Sequence, residues 1–278
     1  MDAYAVLDLI RVRQWYKNLI VFAAAFFGGV IFNFNIFPDL IFLFFAFSFA
    51  SGAIYCVNDI FDIESDKKHL IRKKRALACG KISSSDTWIV LSACIVLSLV
   101  FGLSVWSSAR YLVAFILLNL VYSAHLKKIA YLDAILISTN FLIRALAGAA
   151  VLGVEPSLVF YLGIFFAGLF LVLGKRIFDL ENVGRIFEYG EKSLKGVFLA
   201  NAIVLVLIYG LFLGTSESVR KEIAIFSFPL SVFLIYHYYL AVMKKDERAL
   251  EPVRFVFDMK IFIPAFLLIV LLVISVYL

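Results

Sequence analysis

The stretch Asn58-Asp59-Ile60-Phe61-Asp62-Ile63-Glu64-Ser65-Asp66 gathers three aspartates and an amide within about two helical turns. On a helix, Asn58, Asp62 and Asp66 recur at i, i+4 and i+8 and share one face, with Asp59 about 100° round from Asn58. All are hard oxygen ligands, and side by side the carboxylates repel one another. Mg²⁺ relieves that repulsion readily, because it takes oxygen ligands and keeps substrate phosphates in its shell; Mn²⁺ suits the same donors. The residues that follow include Lys67, Lys68, Arg72, Lys73, Lys74 and Arg75, cations suited to those phosphates. The spacing therefore predicts a metal–diphosphate site with Asn58, Asp59, Asp62 and Asp66 as ligands. The bland alternative is a solvated acidic helix end, which is seldom this regular.

Other polar groups stand where a membrane chain rarely spends them. Gly174-Lys175-Arg176-Ile177-Phe178-Asp179-Leu180-Glu181 joins two adjacent cations to two acids. Arg forks onto phosphate through two donors and Lys acts as a point charge, so Lys175, Arg176 and Asp179 are candidates for a second anion site; positive-inside anchoring is the alternative. Arg144 falls mid-span in Phe141-Leu142-Ile143-Arg144-Ala145. Insertion of a charge there costs about 2.5–3.5 kcal/mol, and such a residue faces a cavity or a partner. Asp133 is roughly 16 Å away along a helix axis, so an anionic ligand or an acid elsewhere is expected to face Arg144. Asp133 itself is either a metal or hydroxyl ligand or an interfacial acid. Gln14, Lys17 and Asn18 at the mouth of the first apolar stretch, and Tyr122 and Lys127 at the end of another, are candidate substrate contacts or interface anchors. His69, His125 and His237 have no metal-ligand spacing. Cys56, Cys79 and Cys94 have no metal or redox spacing and read as small buried hydrophobes.

The elements that must hold these residues are membrane helices. Of 278 residues, 64% are hydrophobic and 17% charged, against roughly 25% charged in soluble domains. Residues 4–17 read as an amphipathic interfacial helix with Trp15 and Tyr16 at headgroup level. Nine spans are expected near 18–33, 39–59, 87–105, 109–125, 131–152, 157–177, 195–214, 223–243 and 258–277. The N-terminus imitates a signal peptide but lacks a small-residue cleavage site, so it is read as the first span. The expected architecture is one all-α polytopic domain over 1–278, nine helices around a central cavity. Loops 60–86 and 178–194 can lie side by side over that cavity and cap it. All of the 26 Lys and Arg residues except Arg110, Arg144, Arg220 and Lys221 fall on one side. That side, with the N-terminus and the acidic motif, is expected to be the cytoplasm and the C-terminus outside.

At this point the residues resemble the UbiA superfamily of intramembrane prenyltransferases, and among its branches the decaprenyl-phosphate phosphoribosyltransferases. The likeness is carried by Arg11 to Asn18, Tyr55 to Asp66, then His69, Arg72, Lys73, Arg75 and Gly80. It continues through Tyr122-Ser123, Leu126-Lys127, Asp133, Leu142 to Ala145, Gly148, Gly174-Lys175-Arg176 and Lys192 to Leu194. The last three spans match in hydropathy alone. The branch is distinguished by Lys175 and Arg176 with a lone Asp179, where ordinary members carry a second Asp-rich motif. Leu70 and Ala76 stand where relatives usually have proline, which predicts a more mobile first loop.

The resemblance implies Mg²⁺ on Asn58, Asp59, Asp62 and Asp66, with those aspartates catalytic, and phosphoribosyl diphosphate as donor. A polyprenyl phosphate entering from the bilayer would be the acceptor. Gln14, Lys17, Asn18, Arg72, Lys73, Arg75, Tyr122, Lys127, Asp133, Arg144, Lys175, Arg176 and Asp179 would bind substrate. No nucleic-acid partner is expected, and a homo-oligomer is left open. Two other functions stay in play. One is ordinary prenyl transfer from a polyprenyl diphosphate to an aromatic or glycerol-phosphate acceptor. The other is non-enzymatic lipid transport, which would more often show helices broken near the midplane.

Overall fold

A computed structural model describes residues 2–68, 72–124, 126, 129–182, 190–250 and 252–278. Every regular element among them is helical. In order they are α1 (Ala3–Leu9), a 3₁₀ helix (Val12–Phe22), α2 (Ala23–Phe27), α3 (Phe37–Lys68), α4 (Ser84–Leu103), α5 (Ala109–Ala124) and α6 (Leu132–Leu152). There follow α7 (Leu158–Asn182), α8 (Glu191–Thr215), α9 (Lys221–Ala224), α10 (Ser227–Met243), α11 (Pro252–Val256) and α12 (Met259–Tyr277), with short 3₁₀ turns at Arg72–Lys74, Trp106–Ser108 and Glu247–Leu250 between them. Among the described residues seven stretches are long and apolar enough to cross a membrane: α3, α4, α6, α7 up to Phe178, α8, Lys221–Met243 and α12.

Those seven coincide with seven of the nine expected spans. The fourth expected span is the 16-residue α5. The first is not one α-helix: the 3₁₀ helix runs through its start, α2 ends at Phe27, and Gly29 turns the chain at φ 69°. The interfacial helix expected over 4–17 ends at Leu9, because Arg11 adopts a left-handed conformation (φ 51°) that no α-helix continues through. Two expected loops are also shorter than their sequence suggests. α3 continues to Lys68, and α7 extends to Asn182 with α8 starting at Glu191. Glu64, Lys67 and Lys68 are good helix formers, so α3 outlasts its apolar portion.

Close packing divides the chain into two units. The first comprises Met1–Ala25, Ile31–Ala124 and Ile143–Glu155. Its framework is the α3–α4 hairpin, where small residues let the backbones approach, as helices in lipid require. Buried Ser98 donates its hydroxyl to the Ala46 carbonyl at 3.0 Å. Ser83 caps α4 by accepting from the Asp86 amide. The 3₁₀ helix lies so close to α6 that a Cβ on Gly148 would sit 1.9 Å from the Val21 carbonyl oxygen. The second unit comprises Phe26–Val30, His125–Leu142 and Pro156–Leu278. Its core is aromatic, with Phe170 stacked on Phe198 at 4.8 Å and Tyr238 alongside.

Candidate functional site

From Leu40 to Val57, α3 carries no charged residue for about 27 Å at 1.5 Å per residue, close to the thickness of the hydrocarbon core. Polarity begins at Asn58. Asp59 and Asp66 lie seven residues apart, two turns less about 20°, and so leave α3 on the same side. They are 4% and 1% exposed. A single atom joins them: Nη1 of Arg75 is 3.2 Å from Asp59 Oδ1 and 2.6 Å from Asp66 Oδ2. Arg11 Nη2 donates to the same Asp59 oxygen at 2.8 Å, and its guanidinium lies 4.2 Å over the Tyr55 ring. Arg72 Nη1 is 3.3 Å from Asp66 Oδ1, an oxygen that is buried and accepts no hydrogen bond.

Local backbone brings the arginines in. The left-handed turn at Arg11 ends α1 and redirects the chain. Beyond α3, the Arg75 amide bonds the Arg72 carbonyl at 3.0 Å, and the Ala76 carbonyl accepts from Lys81 and Ile82 at 2.9 and 3.3 Å. Gly80, at φ 77°, makes that reversal without strain. Ala76 is 1% exposed and packs with Leu77 and Ile82 under α4, so the proline-free segment is anchored there by burial. Leu70 lies outside the described residues.

The donor set suits a small divalent cation. Buried carboxylate oxygens converge on one positive group, and Asp66 Oδ1 retains capacity to accept. Asn58 and Asp62 are half-buried on the same helix end. Among the described residues no three acidic, His or Cys side chains are gathered tightly enough to hold a metal alone. Water or substrate oxygens would complete the shell, as Mg²⁺ ordinarily arranges.

A second polar group joins the first turn of α6 to the last two turns of α7. Arg176 Nε donates to Asp133 Oδ2 at 2.6 Å, with the side chains 13% and 0% exposed. Asp133 is in the first turn of α6, where the helix dipole favours an anion. Tyr131, two residues before Asp133, shares a 2.8 Å hydroxyl hydrogen bond with Ser193.

The UbiA prenyltransferase family matches residues 18–263 of this chain. The chain belongs to that family. A decaprenyl-phosphate phosphoribosyltransferase from Mycobacterium tuberculosis is 31% identical over 223 residues, covering 74% of this chain and 73% of the relative. One of the same name from Corynebacterium glutamicum is 32% identical over 225 residues, covering 76% and 67%. A solved UbiA homologue from Archaeoglobus fulgidus, bound to GPP and Mg²⁺, shares the fold with a TM-score of 0.73 over 97% of both chains at 20% identity. The chain is thus a multi-pass membrane transferase of UbiA fold.

Within this UbiA chain the predicted site residues are placed as follows. Arg72 and Arg75, expected to stand ready for phosphate, are paired with buried carboxylates, since a buried acid needs a compensating cation. Lys73 is exposed on the turn beside them. Gln14 Oε1 accepts from Lys17 Nζ at 3.0 Å and from the Tyr55 hydroxyl at 3.3 Å. Asn18 is 2% exposed and donates to Ser48 at 2.9 Å, a contact between the 3₁₀ helix and α3. Trp15 packs edge-on against Phe49 at 5.4 Å rather than serving only as a headgroup anchor. Arg144 is 8% exposed with its guanidinium 4.5 Å over the Phe115 ring. Lys175 is exposed and Tyr122 half-buried. Lys127 and the side chain of Asp179 lie outside what is described. Arg11 and Tyr55 are the participants that spacing missed; the signal was the shared stretch beginning at Arg11.

Proposed function

We propose that this UbiA member transfers the 5-phosphoribosyl group of phosphoribosyl diphosphate to a polyprenyl phosphate, releasing diphosphate. The observation that carries the reading is the cationic pair Lys175 and Arg176 in α7, Arg176 being set by buried Asp133, which suits a phosphate group. Asp59 and Asp66 form a separate, carboxylate-rich group. The names of the relatives from M. tuberculosis and C. glutamicum support the same assignment.

Asn58, Asp59, Asp62 and Asp66 would hold Mg²⁺ or Mn²⁺, which when bound supplies Lewis-acid stabilisation of the departing diphosphate. Arg11, Arg72, Lys73 and Arg75 add positive charge around the leaving group, where charge develops. Lys175 and Arg176 hold the 5-phosphate and fix the ribose. An oxygen of the lipid phosphate forms a bond to ribose C1 as the bond from C1 to the diphosphate oxygen breaks. A phosphate monoester has a second pKa near 6 and is already largely dianionic, so no strong general base is needed. Arg144, facing the ring of Phe115, supplies a buried cation for an anionic substrate group. The Lys and Arg distribution supports nine crossings, a cytoplasmic N-terminus and site, an external C-terminus and residence in the cell membrane.

Ordinary prenyl transfer is the second reading, favoured by the GPP-bound fold relative. The two separate when the purified protein is given Mg²⁺ and each donor in turn. Diphosphate release from phosphoribosyl diphosphate that depends on added polyprenyl phosphate supports the proposal. Release only from an allylic polyprenyl diphosphate supports the alternative.

A further inference from the structure

We propose that Arg75 is the resident counter-cation of the Asp59–Asp66 pair, displaced when a divalent cation binds and transferred to the phosphates that arrive with it. Metal and phosphorylated donor then bind cooperatively, with Arg75 as the coupling residue. The inference rests on the metal–diphosphate reading above and adds the device that links the two ligands.

Arg75 and a divalent cation would compete for carboxylate lone pairs. Arg75 Nη1 takes one oxygen from each aspartate, at 3.2 and 2.6 Å. A bound Mg²⁺ needs such oxygens at about 2.0–2.1 Å in a near-octahedral shell. A metal that took Asp59 Oδ1 or Asp66 Oδ2 would compete with the guanidinium for the same lone pairs. Charge gives the second step. Two buried carboxylates already face three guanidiniums, from Arg11, Arg72 and Arg75. A dication added alone makes an overcharged, poorly solvated cluster, whereas one arriving with a polyanion does not. Freedom of movement gives the third. The Arg75 side chain is 28% exposed while its carboxylate partners are 4% and 1% exposed. Its backbone is pinned, the amide on the Arg72 carbonyl and the carbonyl on the Cys79 amide at 2.9 Å. The guanidinium can therefore swing outward while the Cα stays, and an incoming phosphate is the strongest partner it could meet.

The test is Mn²⁺ binding to the full chain in lipid nanodiscs, followed by electron paramagnetic resonance with and without inorganic diphosphate. Wild type should bind Mn²⁺ weakly alone and at least tenfold more tightly with diphosphate. Arg75→Gln should bind Mn²⁺ alone about tenfold to a hundredfold more tightly than wild type, the equivalent of one charge-assisted contact, and lose most of the gain from diphosphate. Unchanged or weaker Mn²⁺ binding in Arg75→Gln overturns the inference. If wild type binds no Mn²⁺ with or without diphosphate, the metal reading itself fails and takes this inference with it. A measurement on wild type stands independently of whether the variant folds. Phenylglyoxal modification of Arg75, mapped by mass spectrometry, should rise on addition of Mn²⁺ alone and fall when diphosphate follows. Modification indifferent to Mn²⁺ overturns the inference as well.

Discussion

Exchanging Asp133 for Asn should loosen Arg176 without removing its acceptor, and the structure sets how much. Asp133 is fully buried and its bond to Arg176 is 2.6 Å long, so no water compensates for a lost charge. A hydrogen bond to a charged group contributes about 1.5–3 kcal/mol and a neutral one about 0.5–1.5; Asp133→Asn should therefore cost about 1–2 kcal/mol. Arg176→Gln removes the charged partner of a buried carboxylate, and breaking such a pair costs about 3–5 kcal/mol. Once either is gone, the other matters less, so the double variant should be more stable than the sum of the two losses predicts by about 2 kcal/mol. Unfolding in detergent measures that cycle. Donor KM carries the functional half. Arg176→Gln should raise it about tenfold to a hundredfold, Asp133→Asn should raise it less, and the double variant should match Arg176→Gln. Additive losses of stability, or a donor KM in the double variant well above that of Arg176→Gln, would show that Asp133 does not act through Arg176. A rise in KM for the lipid phosphate instead would reverse the assignment of donor and acceptor.

Arg144→Met keeps the stem on Phe115 but removes the cation; expression should hold while substrate KM rises, measured by steady-state kinetics. Normal affinity in a variant that unfolds early would make Arg144 structural. Asp62→Ala, on a half-buried ligand candidate, should abolish turnover with the unfolding midpoint retained, and EDTA should do the same reversibly. Full activity in EDTA would refute the metal requirement. Gly148→Ala should destabilise by about 1–3 kcal/mol or more, since its Cβ meets the Val21 carbonyl at 1.9 Å; an unfolding midpoint equal to wild type would show that the 3₁₀ helix readily moves away.

The acidic motif was legible because its spacing is periodic and helical, and α3 keeps that period through Asp66. Its partners were not. Arg11 is 48 residues from Asp59 and Arg75 is 16, and pairing over such distances depends on how the chain folds back. The i, i+7 relation of Asp59 and Asp66 lies in the sequence too, but spacing alone does not distinguish it from the i+4 row through Asp62. Hydropathy located seven apolar helices because bilayer thickness imposes a length. It failed at residues 4–33, where a non-glycine left-handed turn at Arg11 and a long 3₁₀ segment carry no compositional mark. Asp133 and Arg176 were each singled out from sequence, yet their pairing, 43 residues apart, required the fold.

The mass of the lipid product tests the central claim most directly. The purified protein is incubated in nanodiscs with Mg²⁺, polyprenyl phosphate and phosphoribosyl diphosphate labelled with ¹³C in the ribose, and the lipids are read by mass spectrometry. The account predicts a lipid heavier by one labelled phosphoribosyl group, retaining both its own phosphate and the 5-phosphate, formed with one diphosphate released and absent in EDTA. An unlabelled lipid here, together with an alkylated acceptor when a polyprenyl diphosphate is supplied, would contradict it.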